Sequence, residues 1–510
     1  MSTACWTCRN RTIRCDQTSI PCAKCEKAGL ECFEQRPLRW VKGVAIRGKM
    51  RGHIFGEDRK ASDENPPTQL EQKQVIHSRT KSLTTNITPS FALQDPCIHN
   101  LDRSSRFYLD YYNLRVAKLF ILYDSESNPF RRLLTYAMEN STLRKTIVAV
   151  AARHFANAGQ SFDQVNDGLS PRFINANLHA FHFKQQAIKA LSLSLSHPEP
   201  SQKDAIMPAI LLLIFLDLLE SGIEGWKYHL RGAEGVVNLS HSMLEPSDSE
   251  SINGNPGETV EETRRFITRQ FSLSVSTLGG ALSGSKSSPE FCMNFDESRN
   301  HESIIRSFLG CPVFLLRAIR YFSNQRHVIK SLDMHDDLSI HGHMQNTLTM
   351  LELTANFDCL EWASNSVESS VSSAVEIQKL SLLSQAYKTA TMLYGKRVLR
   401  AFKTSTEPIT SGNEELVLRL LDVIDSLQCD PALFKCLLWP TFIAGLECRT
   451  YSEQKLVIGF LKMLWNLTSC LNVISASKMV HENWKRKSFD GNLASGESEL
   501  YVIEQGWLLI

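Results

Sequence analysis

The chain has 510 residues, 43% hydrophobic and 22% charged, and its 56 Lys and Arg against 54 Asp and Glu leave a formal charge of only +2. So small a sum excludes a partner selected by overall charge, and a polyanion would have to be met by a local basic segment. Met1-Ser2-Thr3-Ala4 offers neither the charge nor the apolar run of a cleavable signal, so the 14 cysteines are not expected to form a secreted disulfide framework.

The first element read along the chain is a duplication. Cys5-x2-Cys8-x6-Cys15 is repeated 17 residues later as Cys22-x2-Cys25-x6-Cys32. Two separate four-coordinate zinc ions would need eight thiolates, whereas six suffice if two sulfurs are shared. The spacing therefore predicts a binuclear cluster holding two Zn2+, each tetrahedral and closed, so that the metal is structural and leaves no position for a reacting water. A peptide this short cannot bury a core of its own and would depend on the metal to fold. A thioredoxin-like redox pair would need a strand–helix setting, which the segment lacks.

Charge supports the same module. Residues 1–52 hold eleven cations (Arg9, Arg11, Arg14, Lys24, Lys27, Arg36, Arg39, Lys42, Arg47, Lys49 and Arg51) against Asp16, Glu26, Glu31 and Glu34, a surplus of seven on a chain whose remainder is acidic by five. Six thiolates and two divalent ions lower that surplus to about +5. A compact positive head on a slightly acidic body is the footprint of a double-stranded DNA partner. Arg9, Arg11 and Arg14 are expected on a short helix through Cys8–Cys15 whose end faces the major groove, which makes the first half-site the reader. Lys24 and Lys27, offset by Glu26 and Glu31, are expected to grip phosphate.

Cys5-Trp6-Thr7-Cys8-Arg9-Asn10-Arg11-Thr12-Ile13-Arg14-Cys15-Asp16, Pro21-Cys22-Ala23-Lys24-Cys25 and Gly29-Leu30-Glu31-Cys32 resemble the fungal binuclear zinc cluster transcription factors. The resemblance implies that Cys5 and Cys22 bridge the metals and that Pro21 belongs to the loop between the halves. It also implies that Arg14 stands where the family contacts a base, that the targets are CGG-type triplets, and that the protein acts in the nucleus. An arginine can bond guanine O6 and N7 together. Thr12 departs from the pattern, because a basic residue is usual there. That departure motivates a competing reading, a corepressor or adaptor that keeps the zinc fold without binding DNA.

After the cluster, Arg39, Lys42, Arg47, Lys49 and Arg51 are interrupted by Gly43, Gly48 and Gly52. The glycines argue against a helix and hence against a coiled coil, leaving an extended basic arm (36–52) that follows phosphates. This stretch is similar to the one in acriflavine-sensitivity-control-like fungal regulators, which implies a pathway-specific regulator of a metabolite cluster or of drug resistance. Residues 53–100, rich in Ser, Thr, Gln, Glu, Asn and Pro, read as a disordered linker.

From Leu101 the pattern becomes helical. Phe107, Tyr111 and Leu114 share one period, Asn128-Pro129 is a helix start, and Leu143, Ile147 and Val150 form a core face. Leu178, Phe181, Ile188, Leu191 and Leu195 form another. Ala205–Leu216 is an apolar run of 12 residues; a bilayer span takes about 20, so a buried helix and a soluble protein are expected. Gly225-Trp226-Lys227-Tyr228-His229-Leu230-Arg231-Gly232-Ala233 resembles the signature of the fungal-specific transcription-factor domain, with Trp226 and His229 read as packing residues. Gly279-x4-Gly284-Ser285-Lys286 misplaces the lysine of a phosphate loop. The remaining cysteines lack ligand spacing and read as buried thiols.

The predicted architecture is a zinc-stabilised module of two short helices around a binuclear cluster (1–35) and a large all-α regulatory domain (101–510), joined by the arm and linker. No catalytic residue is expected, and the protein is not expected to be an enzyme. Its expected partners are DNA, transcription machinery or co-regulators, and a second copy paired through the helical domain or on DNA, because no heptad segment follows the cluster.

Overall fold

A computed structural model describes residues 4–16, 21–33, 101–164, 171–196, 203–223, 225–242, 266–267, 309–331, 337–366, 373–402, 413–489 and 508–509. The arm and linker, with Cys97, Cys292 and the Gly279–Lys286 loop, lie outside the described residues. The chain divides into two units, 1–88 and 89–510. The first contains α1 (Trp6–Asn10) and α2 (Ala23–Lys27).

The second unit begins with α3 (Arg103–Tyr111), a π turn (Tyr112–Val116) and a 3-10 turn (Ala117–Phe120). Next come α4 (Pro129–Glu139), α5 (Ser141–Asn157), α6 (Pro171–Ser196), α7 (Lys203–Glu220) and α8 (Gly225–Ser242). After residue 309 follow α9 (Val313–Ser331), α10 (Asp337–Asn356), α11 (Cys359–Ser366), α12 (Ala374–Ala401) and α13 (Asn413–Ser426). The series ends with α14 (Pro431–Phe434), α15 (Leu438–Glu447), α16 (Tyr451–Thr468) and α17 (Leu471–Phe489).

Local chemistry starts these helices. The fully buried Asn128 accepts a bond from the Phe130 N–H at 2.9 Å, and Pro129, lacking an N–H, fills the first turn. Reciprocal capping boxes open α12 (Ser373 with Glu376) and α16 (Thr450 with Glu453). Two helices organise the packing. α5 runs against α6 and α7 with Leu143, Ile147 and Val150 all buried, and α12 is flanked by α9, α10, α11, α13 and α15. Ala205–Leu216 lies inside α7 with Pro208 in the helix, nearly all of it buried. No described helix is long and apolar enough to cross a membrane.

The fold reverses two core faces expected from periodicity. On α6, Leu178 and Phe181 are each 60% exposed, and Ile188 and Leu195 are exposed as well; only Leu191 is buried. The inward side is Ala176, Ala180, Phe183, Ala187 and Ala190, facing an α5 that carries Ala149, Ala151, Ala152 and Ala156. Small residues let the two backbones approach closely, so the larger apolar side chains point outward. At the domain start Phe107 and Leu114 are exposed while Tyr108, Tyr112 and Val116 are buried. The π turn widens the helical spacing there and moves the buried face. Among the described cysteines outside the module, Cys311, Cys359, Cys436 and Cys448 are buried and Cys470 is half-buried, but Cys429 is exposed.

A buried charge network joins α12 to α15. Arg397 lies 2.8 Å and Arg400 3.0 Å from the Glu447 carboxylate. Burial alone would raise the Glu447 pKa; the two guanidiniums overcome it and hold the group at about 2. A carboxyl depressed in the fold stabilises it above its ordinary value near 4.5, and that contribution is lost as pH falls through about 2. Glu447→Gln should therefore cost about 3–5 kcal/mol at neutral pH, measured by urea unfolding. The deficit relative to wild type should shrink as the pH is lowered from 4.5 toward 2.

Candidate metal centre and nucleic-acid interface

Each Cys-x2-Cys pair is placed by a helix start. Cys5 is the N-cap of α1 (φ −59°, ψ 151°) and its sulfur accepts the Cys8 N–H at 3.3 Å; Cys22 is the N-cap of α2 (φ −71°, ψ 148°). A cap residue and the third helical position share a face, so Cys8 and Cys25 bring their sulfurs inward beside the caps. Cys5 and Cys22 sulfurs lie 3.8 Å apart, Cys8 is 3.6 Å from Cys22, and Cys25 is 3.8 Å from both Cys5 and Cys8. Half-buried Cys15 and Cys32 complete the group.

The six sulfurs form two overlapping tetrads, Cys5/Cys8/Cys15/Cys22 and Cys5/Cys22/Cys25/Cys32, each with all its sulfurs within 4.8 Å of one another. Their common members are Cys5 and Cys22. An all-sulfur, buried, four-donor set suits zinc and leaves no open coordination position. The same two thiols are the acidified ones. The Cys8 N–H lowers the Cys5 pKa against burial, while at Cys22 burial opposes and the Cys25 N–H with neighbouring thiols prevails. Burial instead pushes Cys8 up to about 12 and raises Cys25, and Cys32 is raised as well. Backbone N–H groups at a helix N-terminus thus favour the thiolate at the two positions that both tetrads use.

The duplication continues past the cysteines. At the end of α2 Gly29 (φ +61°) takes the left-handed position; its N–H bonds to Glu26 O at 3.1 Å, and the Leu30 N–H to Cys25 O at 3.0 Å. At the end of α1 the same two bonds run from Thr12 to Arg9 O (3.1 Å) and from Ile13 to Cys8 O (3.1 Å), with Thr12 at φ +53°. Both helices close with one motif, in which glycine is the unstrained choice. Sequence reading missed a clasp over the module. Thr7 Oγ1 donates to Glu31 O at 2.8 Å and accepts the Phe33 N–H at 3.2 Å, and Trp6 meets Phe33 edge-on. The signal was available in Trp6 and Phe33, large aromatics flanking a core of sulfur alone.

Arg9, Arg11, Arg14, Lys24 and Lys27 are all exposed. The expected helix through Cys8–Cys15 is shorter: it ends at Asn10, so Arg9 lies in it, Arg11 caps it, and Arg14 follows the left-handed turn outside any helix. Arg39, Lys42, Arg47, Lys49 and Arg51 lie outside the described residues. In the second unit, His229 Nε2 is 3.4 Å from the Asp217 carboxylate, which also receives Lys184 at 3.1 Å; Glu220 pairs with Lys184 and Arg153. A Cβ on Gly225 would fall 2.8 Å from Asp217, and Trp226 is buried. This charged knot seats α8 on α7, which accounts for the Gly-Trp-x2-His sequence as packing.

Comparison with known proteins places both units. Residues 107–508 match the model described as fungal specific transcription factor domain, and residues 3–40 match the fungal Zn(2)-Cys(6) binuclear cluster domain. The chain is similar to acriflavine sensitivity control protein acr-2 of Neurospora crassa, 20% identical over 445 residues, spanning 84% of this chain and 69% of that protein. No solved structure matches the chain.

A β-branched residue at positive φ is strained by about 1–2 kcal/mol. Thr12→Gly should therefore strengthen the module, raising its retention of zinc against a chelator roughly fivefold. Unchanged or weaker retention would show that Thr12 carries no strain.

Proposed function

The chain belongs to the family defined by the fungal specific transcription factor domain and carries a fungal Zn(2)-Cys(6) cluster domain, and from that premise we propose that it is a nuclear, sequence-specific DNA-binding regulator. Cys5, Cys8, Cys15, Cys22, Cys25 and Cys32 hold two Zn2+, with Cys5 and Cys22 shared. The metals supply no reaction; they fix the two helices so that the cations around them keep one geometry. The observation that carries this reading is the pair of overlapping sulfur tetrads bordered by the exposed Arg11, Arg14, Lys24 and Lys27.

Arg14 reads a base, guanine of a CGG-type triplet, because it stands exposed beyond the helix end and its fork can bond O6 and N7 together. Arg9 and Arg11, with Lys24 and Lys27 on α2, bind phosphates and set the register. Arg39, Lys42, Arg47, Lys49 and Arg51 add affinity without sequence information. The boundaries 1–35, 36–52, 53–100 and 101–510 divide reading, gripping, spacing and regulation. Similarity to acr-2 supports a pathway-specific role, with control of drug sensitivity as one such pathway.

Site selection from random DNA tests this directly. The wild-type chain should enrich one motif. Arg14→Ala should lose about 1–3 kcal/mol on that motif and relax preference at one base pair. Arg47→Ala with Lys49→Ala should weaken all sequences alike and lower the salt slope by roughly 0.9 per lost phosphate contact. Enrichment of no motif would instead favour an adaptor.

A further inference from the structure

A second candidate site lies wholly within the helical unit. A cavity of about 650 Å³ opens where α3 and the π turn meet the end of α5 and the α16–α17 junction. That volume is in the range of small-molecule sites. One wall is a run from the first turns of the domain: Tyr111, Arg115, Lys118 and Leu119. The π turn between Tyr112 and Val116 and the 3-10 turn after it set their spacing, a distortion often found where side chains must be re-aimed at a ligand. Phe155 and Leu467 form apolar surface opposite, and Ser469 in left-handed conformation (φ +48°) borders the cavity.

Three features set its chemistry. No carboxylate lines the cavity among the described residues, whereas Arg115 and Lys118 both do. Both charges bear on the imidazole of His154. His154 is 94% buried, and its Nδ1 pairs with the Tyr111 hydroxyl at 2.9 Å. Burial pushes the His154 pKa down to about 4, reinforced by Arg115 and Lys118 against the Thr468 carbonyl. The ring is therefore neutral at physiological pH; it positions the Tyr111 hydroxyl and adds no third cation.

We infer that this cavity binds a small organic acid, its carboxylate held by Arg115 and Lys118, its polar substituent met by Tyr111, and its apolar body laid on Leu119, Phe155 and Leu467. Two cations without a local counter-charge select an anion. The hydrocarbon walls select against an inorganic one, which would gain nothing from them.

The test uses the zinc-loaded full chain in isothermal titration calorimetry with phenylacetate, indole acetate and octanoate, each beside its neutral amide, and with inorganic phosphate. At least one acid should bind, its amide about tenfold or more weaker. Arg115→Gln with Lys118→Gln should lose a similar factor while the ligand-free melting temperature and helical circular dichroism stay unchanged. Ala158→Trp, which fills the cavity, should abolish binding of that acid. The inference is overturned if none of the three acids binds, if an amide or phosphate binds as tightly as the acid, or if the double substitution leaves affinity intact. The titration involves no DNA, so its failure leaves the DNA-binding reading untouched.

Discussion

The N-terminal unit depends on a shortage of ligands. Two tetrahedral ions ask for eight donors and the module supplies six, so two sulfurs must serve twice, and the two tetrads meet at Cys5 and Cys22. Among the described residues of that unit nothing else substitutes for this closure. Its buried residues in the described segments are Cys5, Cys8, Cys22 and Cys25, with Trp6 and Phe33 paired only at the margin. A fold whose core is sulfur has almost no hydrophobic driving force, and metal binding becomes folding free energy. Both cysteines common to the two tetrads sit at helix N-caps, where the backbone N–H groups of Cys8 and Cys25 favour their thiolates.

The helical unit is stabilised by the opposite means. Its apolar interior is continuous from Tyr108 to Leu509, and two of its polar exceptions are paired networks: Glu447 between Arg397 and Arg400, and Asp217 among Lys184 and His229. Asn157 bridges distant parts of the chain, donating to Leu219 O at 2.7 Å and to Ser469 O at 2.9 Å. That second bond holds the left-handed residue beside the proposed acid site.

Sequence revealed most where covalent chemistry fixes spacing. The cysteine periodicity gave the metal stoichiometry, and Asn128-Pro129, a cap followed by a residue without an N–H, gave a helix start that the fold retains. Periodicity found the apolar stripe of α6 but not its direction. The side that packs is chosen by how closely two helices can approach, a tertiary property that favours Ala176 and Ala180 over Leu178 and Phe181. The 17-residue repeat also held an unread correspondence, because Thr12 stands in register with Gly29, and only the backbone shows that both occupy the same left-handed turn. The cavity was not legible at all. Its residues come from four separate stretches of chain, which no one-dimensional pattern brings together.

The sharing of two thiolates is tested most directly by native mass spectrometry of the intact zinc-loaded chain after brief treatment with a thiol-alkylating reagent. Two zinc ions should remain bound, with all six cysteines from Cys5 to Cys32 unmodified. A single zinc, or two zinc ions retained while Cys5 or Cys22 is alkylated, would contradict it.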